Sequence, residues 1–254
     1  MKIDDLEDRR VLITGASTGI GAALARAFTG QGARVAVHYG RNAAAAQALA
    51  KETSTASRPV FLVQGDFTKR GEARRVVDDA AARLGGLDVL VNNAGSLVQR
   101  EPIEEIGDEL VDEIMELNIR SVLEGCQAAI PHLAKTKGGA IINVGSIAGN
   151  NGGGPGSGIY AASKAFVHNL TRHLAGELGP AGIRVNCVSP GVIATPFHSK
   201  TPADRMEAMR KTTKLGRVGT PEECVGAFLF LASNQLSGYI TGQNIHVNGG
   251  QLMP

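Results

Sequence analysis

The sequence has no tryptophan, only 4% aromatic residues, and a net charge of +2 with its basic residues scattered. Without a basic stripe or a stacking platform it offers no surface for a nucleic-acid backbone or its bases. Cysteine is scarce as well. Cys126, Cys187 and Cys224 are odd in number and form no C-x-x-C pair, which argues against a disulfide framework or a zinc site; they read as small buried apolar groups in a reducing cytosol. The histidines (His38, His132, His168, His173, His198, His246) show no H-x-x-x-H spacing and gather no acids, so metal catalysis is not indicated. No apolar run approaches the roughly 18 residues that a bilayer span needs. Met1 to Arg10 is charged throughout, and a soluble, cytoplasmic protein with no membrane partner is expected.

What the chain does have is an unbroken alternation of short apolar runs and helical segments. Val11–Ile13 enters a glycine turn and then a helix through Ala22–Phe28, with Gly32 as the stop. Strands follow at Arg34–Tyr39, Val60–Gln64, Asp88–Asn92, Ala140–Val144, Ile183–Val188 and Asn244–Val247. Helices are expected from Asn42 to about Thr53, Gly71–Leu84, Asp108–Lys135 with Pro131 bending or ending it, Ile159–Leu178, Ala203–Lys211 and Pro221–Ala232. Ser146–Gly158 reads as an exposed, glycine-rich loop. The strands are apolar on both faces and no linker or repeat interrupts the 254 residues. The expectation is a single α/β domain, a Rossmann-type doubly wound parallel sheet of about seven strands with helices on both faces. In such sheets ligands bind beyond the carboxyl ends of the strands.

One strand end and one helix carry chemistry. Gly15, Gly19 and Gly21 follow the first strand as Thr-Gly-x-x-x-Gly-x-Gly, a spacing that permits a tight turn, close approach of backbone to a pyrophosphate, and close packing of helix on strand. It differs from G-x-G-x-x-G, so it points to a related but separate dinucleotide fingerprint. Tyr160 and Lys164 stand four apart in a helical stretch and share a face. An ammonium roughly 5 Å from a phenolic oxygen would favour the phenolate by about 3 kcal/mol at an effective dielectric of ~20, or roughly two pKa units, making the phenol a proton donor and acceptor near neutrality.

These motifs together resemble the short-chain dehydrogenase/reductase family over essentially the whole length. The resemblance is carried by Thr14-Gly15-Ala16-Ser17-Thr18-Gly19-Ile20-Gly21, Asp66, Asn92-Asn93-Ala94-Gly95, Asn118, Ser146, Tyr160-Ala161-Ala162-Ser163-Lys164, and Pro190-Gly191 with Thr195. It implies that Tyr160 donates a proton to a carbonyl oxygen while hydride arrives from a nicotinamide. It also implies that Lys164 lowers the Tyr160 pKa and holds the nicotinamide ribose, that Ser146 fixes the carbonyl oxygen, and that Asn118 holds a water that replenishes the proton. By the same resemblance Asp66, next to Phe67, takes the adenine amino group, and Asn93, Ala94 and Gly95 form part of the cofactor platform, with Asn92 and Asn93 keeping it in shape. Val192 and Ile20 are placed to pack on the nicotinamide ring, and Thr195 to bond its carboxamide or a phosphate oxygen.

For the choice of cofactor, Tyr39 stands where a carboxylate would select NAD, and Arg41 suits the 2′-phosphate of NADP. Thr18, where many NADP-preferring relatives place a basic residue, argues the other way. NADPH is favoured. Ser146 and Tyr160 stand fourteen positions apart, one more than is usual in the family, and the extra residue falls in the glycine loop. That loop, Ser96–Pro102 and Val192–Leu215 are expected to wall the substrate pocket, with Leu97, Ile147, Ile159 and Phe197 as apolar contacts. No fixed charge there points to a charged substrate. The favoured substrate is a 3-oxoacyl thioester; the alternative is a sugar, polyol or other secondary alcohol. A reading from another class is a non-catalytic NADPH sensor, which the complete set Asn118, Ser146, Tyr160 and Lys164 disfavours. Lys135 and Lys137 are the candidates for docking an acyl carrier protein. The resemblance further implies a homotetramer built through the last strand and the Pro221–Ala232 helix.

Overall fold

A computed structural model describes residues 2–136, 138–199 and 201–254. Lys137, one of the two docking candidates, lies outside the described residues. The strands β1 (Arg10–Ile13), β2 (Arg34–Tyr39), β3 (Phe61–Gln64), β4 (Val89–Asn92), β5 (Ala140–Val144), β6 (Arg184–Pro190) and β7 (Asn244–Val247) form one parallel sheet in the order β3-β2-β1-β4-β5-β6-β7. Strand order reverses between β1 and β4, so the crevice for a ligand opens above that junction. The expected doubly wound sheet is what the chain forms.

Alternating residues explain why the sheet is covered twice. The helices α1 (Gly19–Gly30), α2 (Ala43–Thr53), α3 (Glu72–Leu84), α4 (Asp108–Met115), α5 (Ser121–Leu133), α6 (Ala148–Asn151), α7 (Gly158–Leu178), α8 (Ala203–Thr212) and α9 (Pro221–Ala232) follow in chain order. Val11 and Ile13 of β1 enter a core with Leu24 and Phe28 of α1 and Phe228 and Leu231 of α9. Leu12, between them, joins Val76 of α3, Cys126 of α5 and Val167 of α7 on the other face. All three cysteines are buried and free. Of the run Ala227–Leu231, Phe228 and Leu231 are core, while Ala227, Leu229 and Phe230 are half-buried against the same cluster. No helix among the described residues is long and apolar enough to cross a membrane.

Three segments depart from the sequence expectations. The single helix expected over Asp108–Lys135 is divided by a π-helical turn at Glu116–Arg120, where the Ser121 amide donates to the Glu116 carbonyl. The turn Glu-Leu-Asn-Ile-Arg contains no glycine or proline to mark a break, so helical composition alone reads straight through it. Pro131 lies inside α5, which closes at Leu133. The glycine-rich stretch after β5 is not all loop: Ala148–Asn151 forms α6, stopped by Gly152 at φ 79°. The glycines that absorb the extra residue are Gly152, Gly153 and Gly156, all at positive φ.

A buried polar chain fixes β4, β5 and α7 relative to one another. Asn92 donates to Asn143 Oδ1 at 2.9 Å, Asn143 donates to Thr171 Oγ1 at 3.0 Å, and Thr171 donates to the Val167 carbonyl at 2.8 Å. Asn143 is fully buried. An Asn143→Ala variant leaves the Asn92 amide only the weak Cys126 sulfur acceptor in the core, and the expected loss is about 1–3 kcal/mol in urea unfolding. An unchanged unfolding midpoint would contradict this role.

Candidate active site

A cleft of ≈ 760 Å³ runs along the carboxyl ends of the strands, from Arg41 and Asp66 at one end to Ser146, Tyr160 and Phe197 at the other. At its centre is the glycine turn. A Cβ on Gly15 would lie 2.8 Å from Ala94 Cα, one on Gly21 would lie 2.6 Å from Asn93 Nδ2, and one on Gly19 would press on Thr195 at 3.3 Å. These positions accept only hydrogen because the turn packs directly on the segment after β4. Asn93 locks that contact by donating to the Thr14 and Gly15 carbonyls at 2.8 and 3.0 Å, and the Asn93 and Ala94 amides donate to Thr14 Oγ1, both at 2.9 Å. Helix α1 starts at this turn with no side-chain cap at Thr18 and no acidic residue in its first turn. Its amino end is therefore available to an anion, and the cleft is of a size that suits a dinucleotide.

One support of this cradle is invisible in the sequence. His38, at the end of β2, accepts from the Gly15 amide at Nδ1 (3.0 Å) and donates from Nε2 to the Gly65 carbonyl (3.0 Å), while Phe67 stacks on it at 4.0 Å. It ties β1, β2 and β3 together under the cleft. Burial pushes its pKa down to about 4, so the ring is neutral, as the pair of bonds requires. Tyr39, the residue inspected for cofactor choice, does not line the cleft; His38, Gly40 and Arg41 do. Arg41 is exposed, and its guanidinium donates no hydrogen bond to the described residues. Asp66 is held by Thr68, which donates to Oδ1 from its hydroxyl (2.7 Å) and amide (3.2 Å). That hydrogen bonding lowers the Asp66 pKa against the effect of burial.

The other end gathers the candidate proton-handling groups. Tyr160 and Lys164 project from one face of α7, and the Lys164 ammonium lies 5.8 Å from the phenol ring centre. Lys164 is buried and donates to the Val144 carbonyl at the end of β5, at 2.8 Å. Ser146 follows two residues later; its hydroxyl accepts from the Ala148 amide at 3.1 Å, at the start of α6, and is hydrogen-bonded with the phenol. Gly95 is enclosed on this side, since a Cβ there would lie 2.7 Å from Asn118 Oδ1 and 3.2 Å from Lys164 Nζ. Asn118 does not line the cleft. Fully buried in the π-helical turn, it donates to the Ser96 and Ile114 carbonyls at 2.8 and 3.1 Å and accepts from the Ser96 amide at 3.0 Å. Its side chain is thereby spent on clamping the segment after β4. Ser17 likewise lies outside the cleft lining; the remaining residues expected to bind cofactor line it.

The electrostatics reverse one expectation. The Tyr160 pKa is pushed up to about 12, because burial of the phenol outweighs a hydrogen bond with Ser146 and the charge of Arg100. Burial also lowers the Lys164 pKa to about 8. Desolvation of the phenolate outweighs the hydrogen bond and the charge that favour it, so the protein alone keeps Tyr160 protonated. The chain presents this phenol as an acid.

The substrate walls also differ from expectation. Leu97, Ile147 and Phe197 line the cleft, and the Phe197 ring packs 5.7 Å from that of Tyr160. Ile159 instead faces a second, smaller cavity of ≈ 270 Å³ with Ile103, Ile106 and Ile114. Val98, at the rim, is held at φ 62° in a tight γ-turn in which the Gln99 amide donates to the Leu97 carbonyl at 2.8 Å. A β-branched residue in that conformation stores about 1–3 kcal/mol of strain. The wall is not free of charge: Arg100, Glu113 and Arg205 line the cleft with His198. They come from loops and helices far apart in the chain, which is why no local pattern disclosed them.

Known proteins resemble the chain over nearly its whole length. A family model described as enoyl-(acyl carrier protein) reductase matches residues 15–251. The 3-oxoacyl-[acyl-carrier-protein] reductase of Staphylococcus epidermidis is 35% identical over 246 residues, which cover 97% of this chain and all of that protein. A solved short-chain dehydrogenase from Burkholderia cenocepacia in complex with NADP superposes with a TM-score of 0.91 at 33% identity, covering 97% of this chain and 98% of the other. An NADH-dependent reductase responsible for alginate metabolism superposes with a TM-score of 0.90 at 39% identity, over 99% of this chain and all of that one.

His38 and His168, both pushed by burial to a pKa of about 4 from 6.5, make acid stability a readout of this region. A group whose folded pKa is depressed contributes stability that is present above its unfolded pKa and is lost as pH falls. Between pH 6.5 and 5 each histidine should remove about 1.5 kcal/mol. Glu72 and Asp88, whose pKa values are lowered, stay ionised in the folded protein there. The urea midpoint should fall across that interval; a flat profile would show that neither ring is held neutral.

Proposed function

The chain belongs to the short-chain dehydrogenase/reductase family and is an NAD(P)-dependent oxidoreductase acting on CH–OH groups; we propose that it works as an NADPH-preferring carbonyl reductase with Tyr160 as the proton donor. The observation that carries this reading is a half-buried phenol at the cleft wall that is hydrogen-bonded with Ser146 and has the Lys164 ammonium 5.8 Å from its ring centre. A reduced nicotinamide, when bound, supplies the hydride. Tyr160 gives its proton to the carbonyl oxygen, and Ser146 positions that oxygen. The phenolate left behind is the species that needs the Lys164 ammonium, which the Val144 carbonyl holds in place. In the reverse direction the same phenolate takes the proton back. In this account Asn118 acts by keeping Gly95 and Ser96 against Lys164 through its side chain.

NADPH is the favoured cofactor because Arg41 stands at the mouth beside Asp66 with its guanidinium uncommitted. The favoured substrate is a 3-oxoacyl thioester, supported by the similarity to the Staphylococcus reductase. A sugar, polyol or other small secondary alcohol is the second reading, favoured by the polar wall of Arg100, Arg205 and His198, which an unsubstituted acyl chain would leave unmatched. Lys135 is exposed at the end of α5 and is thin support for a carrier protein. The reading also includes a cytoplasmic homotetramer through β7 and α9, which a monomeric mass in light scattering would refute.

Replacing Tyr160 by Phe should lower kcat by about 10²–10⁴-fold while NADPH binding is kept. Unchanged turnover would reject the assigned acid, and absence of turnover in the unaltered protein with every carbonyl tested would favour the sensor reading. Arg41→Ala should raise KM for NADPH by about tenfold or more with little effect on KM for NADH. Equal effects on the two cofactors would reject the NADPH preference.

A further inference from the structure

Three loops that wall the cleft meet at one oxygen. From the segment after β4, Arg100 donates from Nη1 to the Pro155 carbonyl at 3.1 Å; from α8, Arg205 donates from Nη2 to the same carbonyl at 3.0 Å. The Glu101 amide donates to the Gly156 carbonyl at 3.1 Å alongside. Both arginines are half-buried and both line the cleft. The close approach has a cost. Burial and the neighbouring charge of Arg205 both disfavour the charged form of Arg100.

A loop clamp does not account for this. One neutral donor would satisfy the Pro155 carbonyl, whereas two guanidinium groups bring two like charges to it and carry five N–H donors each. Among the described residues each spends one of these on a hydrogen bond, and neither has a carboxylate partner. Arg10, Arg26, Arg75 and Arg210, by contrast, each grip a carboxylate with two hydrogen bonds, and the buried Arg184, which has none among the described residues, spends its donors on Asn234, Ser237 and the Leu231 carbonyl. Glu113 shares the cleft but forms no ion pair with either arginine among the described residues. The charge of Arg100 reaches Tyr160 and His198, which places it close to the reacting end of the cleft.

We infer that Arg100 and Arg205 form a carboxylate-binding subsite, and that the substrate is a small oxo acid whose carboxylate lies a few atoms from the carbonyl presented to Tyr160. This rests on the carbonyl-reductase reading but not on the thioester. In the reaction the carbonyl carbon gains hydride from a reduced nicotinamide dinucleotide, the oxygen gains the Tyr160 proton, the nicotinamide is oxidised, and the carboxylate is unchanged. Planar guanidinium groups suit a carboxylate because they offer paired N–H donors.

The test compares NADPH oxidation with acetoacetate and levulinate against their methyl esters and against an acetoacetyl thioester. In the unaltered protein kcat/KM should favour one of the acids over its ester by about tenfold or more, and Arg100→Gln or Arg205→Gln should remove most of that ratio, with Arg100→Lys keeping part of it. A ratio at or below one with both acids, or a ratio that both Gln variants leave unmoved, would overturn the subsite. Reduction of the thioester and both esters but of neither acid would overturn the subsite and leave the carbonyl-reductase reading standing. Should no carbonyl be reduced, that reading fails, and calorimetric titration of levulinate decides the subsite separately: binding weakened in the Gln variants supports it, and no binding, or equal binding by all three proteins, rejects it.

Discussion

The structure depends most on one buried ammonium. Lys164 sits in the interior and, among the described residues, makes one hydrogen bond, to the Val144 carbonyl where β5 ends. A lysine in that position is tolerable only if its surroundings hold still. Much of the central architecture secures this. The Asn92–Asn143–Thr171 chain sets the height of α7 against β4 and β5. The π-helical turn brings Asn118 against Gly95, and the missing side chain of Gly95 leaves room for the ammonium. A lengthened glycine loop then carries the chain from Ser146 to Tyr160 without disturbing either end.

The two ends of the cleft solve opposite electrostatic problems. At the cofactor end, polarity is supplied mainly by backbone: the amino end of α1 is uncapped, and His38 is kept neutral so that it can accept from Gly15 and donate to Gly65 in the same state. Fixed charge is confined to the mouth, at Arg41 and Asp66. At the substrate end, charge lies inside the cleft, where Arg100 and Arg205 converge on Pro155. That difference matches a cofactor held by shape and dipoles and a substrate chosen by its own charge.

The alternation of strand and helix, the glycine turn and the Tyr160–Lys164 pair could all be read from sequence because each is local: a period of two, a period near four, or a spacing within one turn. The π-helical turn escaped because no glycine or proline marks it and its residues have ordinary helical composition. His38 escaped because its partners, Gly15 and Gly65, are brought to it by strand pairing. Arg100 and Arg205, which no local pattern marks, escaped for the same reason, and no fixed charge in the wall was expected to point to a charged substrate. The phenol pKa was misjudged in sign because spacing alone counts the ammonium and omits the desolvation of both groups, which the packed structure makes the larger effect.

The central claim is that burial keeps Tyr160 protonated in the resting protein so that it can act as an acid. The chain has only three tyrosines, which makes a titration of ¹³Cζ-labelled tyrosine by NMR readable residue by residue. The Tyr160 signal should keep its protonated position through pH 10. A Tyr160 phenolate signal emerging near neutral pH in the protein alone would contradict the account.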